Sequence, residues 1–103
     1  MKYSRAVAIY RETSRLAWES VAAELSEIDR RIFEIIARHG ATCDEIEVMT
    51  GFKHQTAAAQ IRHMTEAGLL RAGEEKRPTR SGRKAIVWVL APRAPEQIDL
   101  FAG

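Results

Sequence analysis

At 103 residues the chain is long enough for one hydrophobic core and too short for two. A hydrophobic fraction of 46% and a charged fraction of 29% are ordinary for a globular domain, and no apolar run is long enough to cross a membrane. With no secretory leader in view, a cytoplasmic protein is expected. The formal net charge is only +2, yet residues 1–67 hold nine Lys/Arg against ten Asp/Glu while residues 68–95 hold seven against two, so the basic excess lies in one short stretch.

The first dozen residues, MKYSRAVAIYRE, have no clean period and are compatible with a helix, a strand or a loose arm. Thr13-Ser14 can cap a helix with Leu16, Ala17, Val21 and Leu25 inward and Trp18 beside them, making 1–25 an N-terminal segment with a flanking helix. Ser26 offers a second cap with Asp29 three residues on. Ile28, Ile32, Phe33, Ile35 and Ile36 then predict an apolar central helix ending at His39-Gly40.

Thr42 is the expected cap of a short bracing helix, with Asp44 and Glu45 in the first turn where negative charge suits the helix dipole. Ile46 and Met49 are expected inward, and Asp44, Glu45 and Glu47 on a solvated face. Gly51 makes a positive φ inexpensive, so Thr50-Gly51 can end this helix and let Phe52 anchor the next. Ala57, Ile61 and Met64 recur at intervals of four and three and define the buried stripe of that helix. Lys53, His54, Gln55, Ala58, Ala59 and Arg62 fall off the stripe, and Gly68 closes the helix.

Leu69 to Gly73 and Lys84 to Leu90 are strand-like and predict a hairpin, the second alternating Ile86, Trp88 and Leu90 against Ala85, Val87 and Val89. Between them EEKRPTRSGR, with Pro78, Ser81 and Gly82, reads as an exposed, flexible tip. Beyond Leu90, Pro92 and Pro95 favour an extended tether, which divides the chain into a domain over 26–90 and a tail over 91–103.

Two short helices hinged at Thr50-Gly51-Phe52, the "EAGLL" run at 66–70 and the arginine cluster that follows resemble a winged helix-turn-helix of the MarR-like class, of the type that phages and prophages carry. The resemblance implies a mainly α fold with a small β-hairpin (α+β) and a double-stranded DNA partner, with one helix read into the major groove and the hairpin as a wing. The expected DNA contacts are Lys53, His54, Gln55, Thr56, Ala58 and Arg62 on the reading helix. On the wing, Lys76, Arg77, Arg80, Arg83 and Lys84 form a comb suited to phosphates or a minor groove. About four such phosphate contacts imply a log-affinity against log-salt slope of roughly −3 to −4. Ala57-Ala58-Ala59 stands where specific readers place hydrogen-bonding side chains, so base readout falls mainly to Gln55 and modest sequence specificity follows.

No cofactor and no metal site is expected: His39 and Cys43 straddle a turn, and no Cys-x-x-Cys or His-x-x-x-His pair is present. The single cysteine excludes an internal disulfide, and a small apolar role for Cys43 is expected over a reactive thiol. Without a phosphate loop, a nucleophile motif or paired carboxylates in an apolar setting, the chain is not expected to be an enzyme.

Gln97-Ile98-Asp99-Leu100-Phe101 resembles the peptide by which bacterial replication and repair proteins dock on the DNA sliding clamp, with Leu100 and Phe101 entering an apolar pocket and Gln97 fixing register. A small accessory protein coupling DNA to the clamp is therefore the leading expectation. The alternatives are a transcription regulator that forms a homodimer through the N-terminal helices, with the tail part of its own fold or interface, and an interaction module that never touches DNA.

Overall fold

Side-chain caps fix where the helices begin. Ser26 accepts from the amide of Asp29 at 3.3 Å and starts a helix over Glu27–His39. Thr42 and Glu45 form a reciprocal capping box, with the Glu45 amide donating to Thr42 Oγ1 at 3.1 Å and the Thr42 amide donating to Glu45 Oε1 at 2.9 Å; it starts a helix over Cys43–Thr50. Gly51, at φ 80°, ends that helix in the left-handed conformation and turns the chain into the next, His54–Glu66.

These segments are α3, α4 and α5 of a computed structural model that describes residues 3–12 and 18–91. Ahead of them lie α1 (Ser4–Glu12) and α2 (Trp18–Ala22), and after them β1 (Leu70–Pro78) and β2 (Lys84–Leu90), an antiparallel pair. Thr13, Ser14, Leu16 and Ala17, and the whole of Gln97 to Phe101, lie outside the described residues. Among the described residues no helix is long and apolar enough to cross a membrane.

The core is built on α3, whose Ile32, Phe33 and Ile36 meet Ile46 of α4, Ala57, Ile61 and Met64 of α5, and Leu69-Leu70 at the start of the hairpin. The stripe expected on α5 is therefore the buried one. The opening residues, for which no period was evident, form a helix because Tyr3, Ala6 and Tyr10 fall on one face and bury it against this core. Tyr3 donates its hydroxyl to Asp29 Oδ2 at 3.0 Å, and Tyr10 donates to the carbonyl of Ala91, tying α1 to the point where β2 ends.

Three expectations need correction. Met49 is 58% exposed, because the short α4 has its buried face centred on Ile46, and Met49 lies beside Val48 on the outer side; Ile28 on α3 is likewise exposed. β1 does not stop at Gly73 but continues through Pro78, so Lys76 and Arg77 are strand residues paired with Ile86 and Ala85, and the tip shrinks to a turn over Thr79–Arg83. Along β2 the buried side chains are Val87 and Leu90, with Ile86 exposed and Trp88 half-buried. The simple alternation is broken opposite a register shift between Ala72 and Lys76, where an irregular ladder adds twist. A bridge from Ala41 to Trp88, with N–O distances of 3.1 and 2.8 Å, fastens the base of this ribbon to the α3–α4 connection.

Candidate nucleic-acid interface

α5 offers one face to the core and the opposite one outward. Lys53, His54, Gln55 and Arg62 are exposed, while Thr56, Ala58 and Ala59 are half-buried. Lys53 occupies the N-cap position without a side-chain cap, so the first amides of α5 keep donor capacity at a helix end that favours anions.

The wing cations divide into two sets. Lys76, Arg83 and Lys84 are exposed and make no ion pair among the described residues. Arg77 is half-buried: its Nη1 donates to Glu45 Oε1 at 3.0 Å, its Nε to Glu75 Oε2 at 3.0 Å, and its Nη2 to the His39 carbonyl at 3.4 Å. Arg80 donates from Nε to Asp44 Oδ1 at 2.6 Å and from Nη2 to Glu47 Oε1 at 3.3 Å. The bond from Arg80 holds the Asp44 carboxyl below the usual carboxylate range, and the bond from Arg77 does the same for Glu75. The acids of α4, expected to face solvent, are thus the clasp that fixes the wing. Sequence reasoning missed this because the partners stand more than thirty positions apart; the signal it held was the acidic run of α4 facing a basic hairpin across the same short core.

Glu47 joins the two halves of the interface. One oxygen receives Arg80 from the wing tip, while the other lies 2.8 Å from Nδ1 of His54, the first residue of α5. The start of α5 and the hairpin tip are therefore held one carboxylate apart. A pocket of about 210 Å³ is lined by Cys43, His54, Ala58, Arg62, Thr65 and Trp88. The Cys43 thiol donates to Glu47 Oε2 at 3.4 Å, and burial, reinforced by that bond, pushes it up to about 12. It is a protonated group at neutral pH, as a half-buried thiol among carboxylates must be. Cys43 faces Glu47 on its own helix and His54 across the turn at Gly51.

Among solved structures, the chain superposes on Stf76 from the Sulfolobus islandicus plasmid-virus pSSVx with a TM-score of 0.51 and 26% identity, over 77% of this chain and 97% of that one. The fold is a winged helix-turn-helix. A MarR-family transcription regulator aligns with 96% of the chain and 70% of its own at 20% identity and a TM-score of 0.49. No protein-family model and no curated protein sequence matches. In this winged helix α4 and α5 are the two halves of the helix-turn-helix, Gly51 its turn, and β1–β2 the wing.

Proposed function

We propose that the protein binds double-stranded DNA with α5 toward the major groove and the wing along the adjacent backbone. The observation that carries this reading is Glu47, which seats the N-terminus of α5 and the wing tip side by side. Around that junction Lys53, Arg62, Lys76, Arg83 and Lys84 are exposed cations available to phosphate. Arg77 and Arg80 are already engaged by acids, so they shape the wing in the free protein. Specificity is modest, since Gln55 is the one exposed amide on the reading face and the alanines beside it offer only apolar contact. A salt titration of binding to random duplex tests the reading. Affinity that falls steeply with salt, and a flatter dependence when the exposed wing cations are removed, supports it; no binding at low salt overturns it.

Within that function we favour an accessory protein whose Gln97–Phe101 peptide docks on the replication sliding clamp, on the strength of the peptide sequence itself. The bond from Tyr10 to Ala91 anchors the chain just before the tail, which suits a peptide that acts apart from the domain. Joined to DNA contact, even weak docking gains from effective concentration, because the clamp encircles the same DNA. Likeness to a plasmid-virus protein fits a chain carried by a phage or similar element. Removing residues 96–103 should abolish clamp capture and leave DNA binding and melting temperature unchanged. The regulator alternative requires a dimer in sedimentation and a palindromic site preferred by about a thousandfold. Less favours it, since α1 and α2 direct Tyr3, Ala6, Tyr10, Val21 and Ala22 into their own core.

A further inference from the structure

Three groups with metal-binding chemistry converge at the α4–α5 junction. Cys43 and Glu47 stand four apart and so share one face of α4, and the turn at Gly51 brings His54 back onto that face. Cys43 Sγ, Glu47 Oε2 and His54 Nδ1 all lie within 4.8 Å of one another. Sulfur lies 3.4 Å from the carboxylate oxygen and 3.8 Å from the ring nitrogen, and the nitrogen and oxygen are 2.8 Å apart. Tetrahedral bonds of about 2.3 Å to sulfur and about 2.0 Å to nitrogen and oxygen place such ligand pairs at about 3.3–3.6 Å. One of the three separations already matches; the sulfur–nitrogen pair needs to close by about 0.2–0.3 Å and the nitrogen–oxygen pair to open by roughly half an ångström, adjustments that rotation of the exposed His54 ring can supply.

We propose that Cys43, Glu47 and His54 form a binding site for a zinc-class divalent transition-metal ion. The donor set selects the ion: one thiolate and one imidazole suit zinc or cobalt and disfavour magnesium and calcium, which take oxygen ligands. Three protein ligands leave the fourth position open, toward the pocket that Cys43 and His54 line with Trp88. Binding replaces the hydrogen bonds within the triad. The Cys43 thiol loses its proton to solvent, the Nδ1–H that His54 directs at the Glu47 carboxylate is likewise given up so that the ring binds neutral through Nδ1 with its one proton on Nε2, and Glu47 binds through Oε2. Glu47 Oε1 stays with Arg80, an outer contact that orients the carboxylate. The site does not depend on DNA binding and is tested without DNA.

The test is titration of the tag-free, reduced full chain with Co²⁺. The expected result is a single equivalent bound, with the visible bands of a tetrahedral site, a thiolate-to-cobalt band in the near ultraviolet, and displacement of both by Zn²⁺. Cys43→Ser should remove the thiolate band, and His54→Ala should weaken cobalt binding by about a hundredfold or more. Circular dichroism on each variant establishes that it is folded, and Glu47→Gln provides a third, independent loss. Absence of tetrahedral bands in the wild-type protein, or the same affinity in a folded His54→Ala variant, overturns the assignment.

Discussion

Arg80 and Asp44, 36 positions apart, are joined twice: the guanidinium Nε reaches Oδ1 at 2.6 Å and the backbone amide of Arg80 reaches Oδ2 at 3.2 Å. The tip of the wing is therefore tied to the first turn of α4 through main chain as well as side chain. An exposed pair of this kind is screened by salt and is readily exchanged for a phosphate, which makes it a self-contact that DNA can replace. Asp44→Asn leaves Arg80 held only by Glu47 and removes an acid that competes with phosphate, so affinity for random duplex should rise a few-fold with the salt slope nearly unchanged. An unchanged affinity would mean that Arg80 never exchanges Asp44 for the backbone.

The two sets of wing cations should behave differently on removal. Replacing Lys76, Arg83 and Lys84 together by alanine takes away exposed charges without ion partners among the described residues, so the slope should flatten by about two to three units while the melting temperature hardly moves. Arg77→Ala should do the reverse. It breaks contacts to Glu45, Glu75 and the His39 carbonyl and loosens the wing on its seat, so thermal stability falls with little change in slope. Fluorescence anisotropy across a salt series and a thermal melt on each variant separate the two effects.

Gly73 sits in the register shift of the wing, against the backbone of β2. A Cβ at this position would lie 2.6 Å from the carbonyl oxygen of Val87, a backbone atom with no freedom to swing aside. Gly73→Ala should force the strands apart at the register shift and destabilise the domain by about 1–3 kcal/mol. A drop of several degrees in melting temperature is the expected reading, and an unchanged melt would show that the bulge absorbs the methyl group.

Much of the scaffold was legible because local chemistry decides it. Ser26 and Thr42 announce α3 and α4 by capping, Gly51 announces the turn, and Ala57, Ile61 and Met64 announce the buried face of α5, each within one or two helical turns. Contacts between distant segments were not legible. Asp44, Glu45 and Glu47 look like any solvated acidic face until the hairpin folds back on them, and Cys43 finds His54 only because α4 and α5 meet at Gly51. Pro78 suggested a break before the strand end, yet it closes β1 at its last position, where a missing amide does little harm.

Tyr3 makes one of these distant contacts testable through pH. Its hydroxyl donates to the buried Asp29 carboxyl, and burial, followed by that hydrogen bond, keeps the phenol protonated well above its ordinary value of 10.0. A group whose proton is held more tightly in the folded state contributes stability that is full below the unfolded value and is lost as pH rises from there toward the folded one. The contribution should therefore be intact at neutral pH and decline above about pH 10. Tyr3→Phe leaves Asp29 with one donor fewer and should cost about 1–2 kcal/mol at neutral pH. The difference in melting temperature between wild type and variant should then shrink through the alkaline range. A difference that stays constant up to about pH 11 would show that the Tyr3 proton is held no more tightly in the folded chain than in the unfolded one.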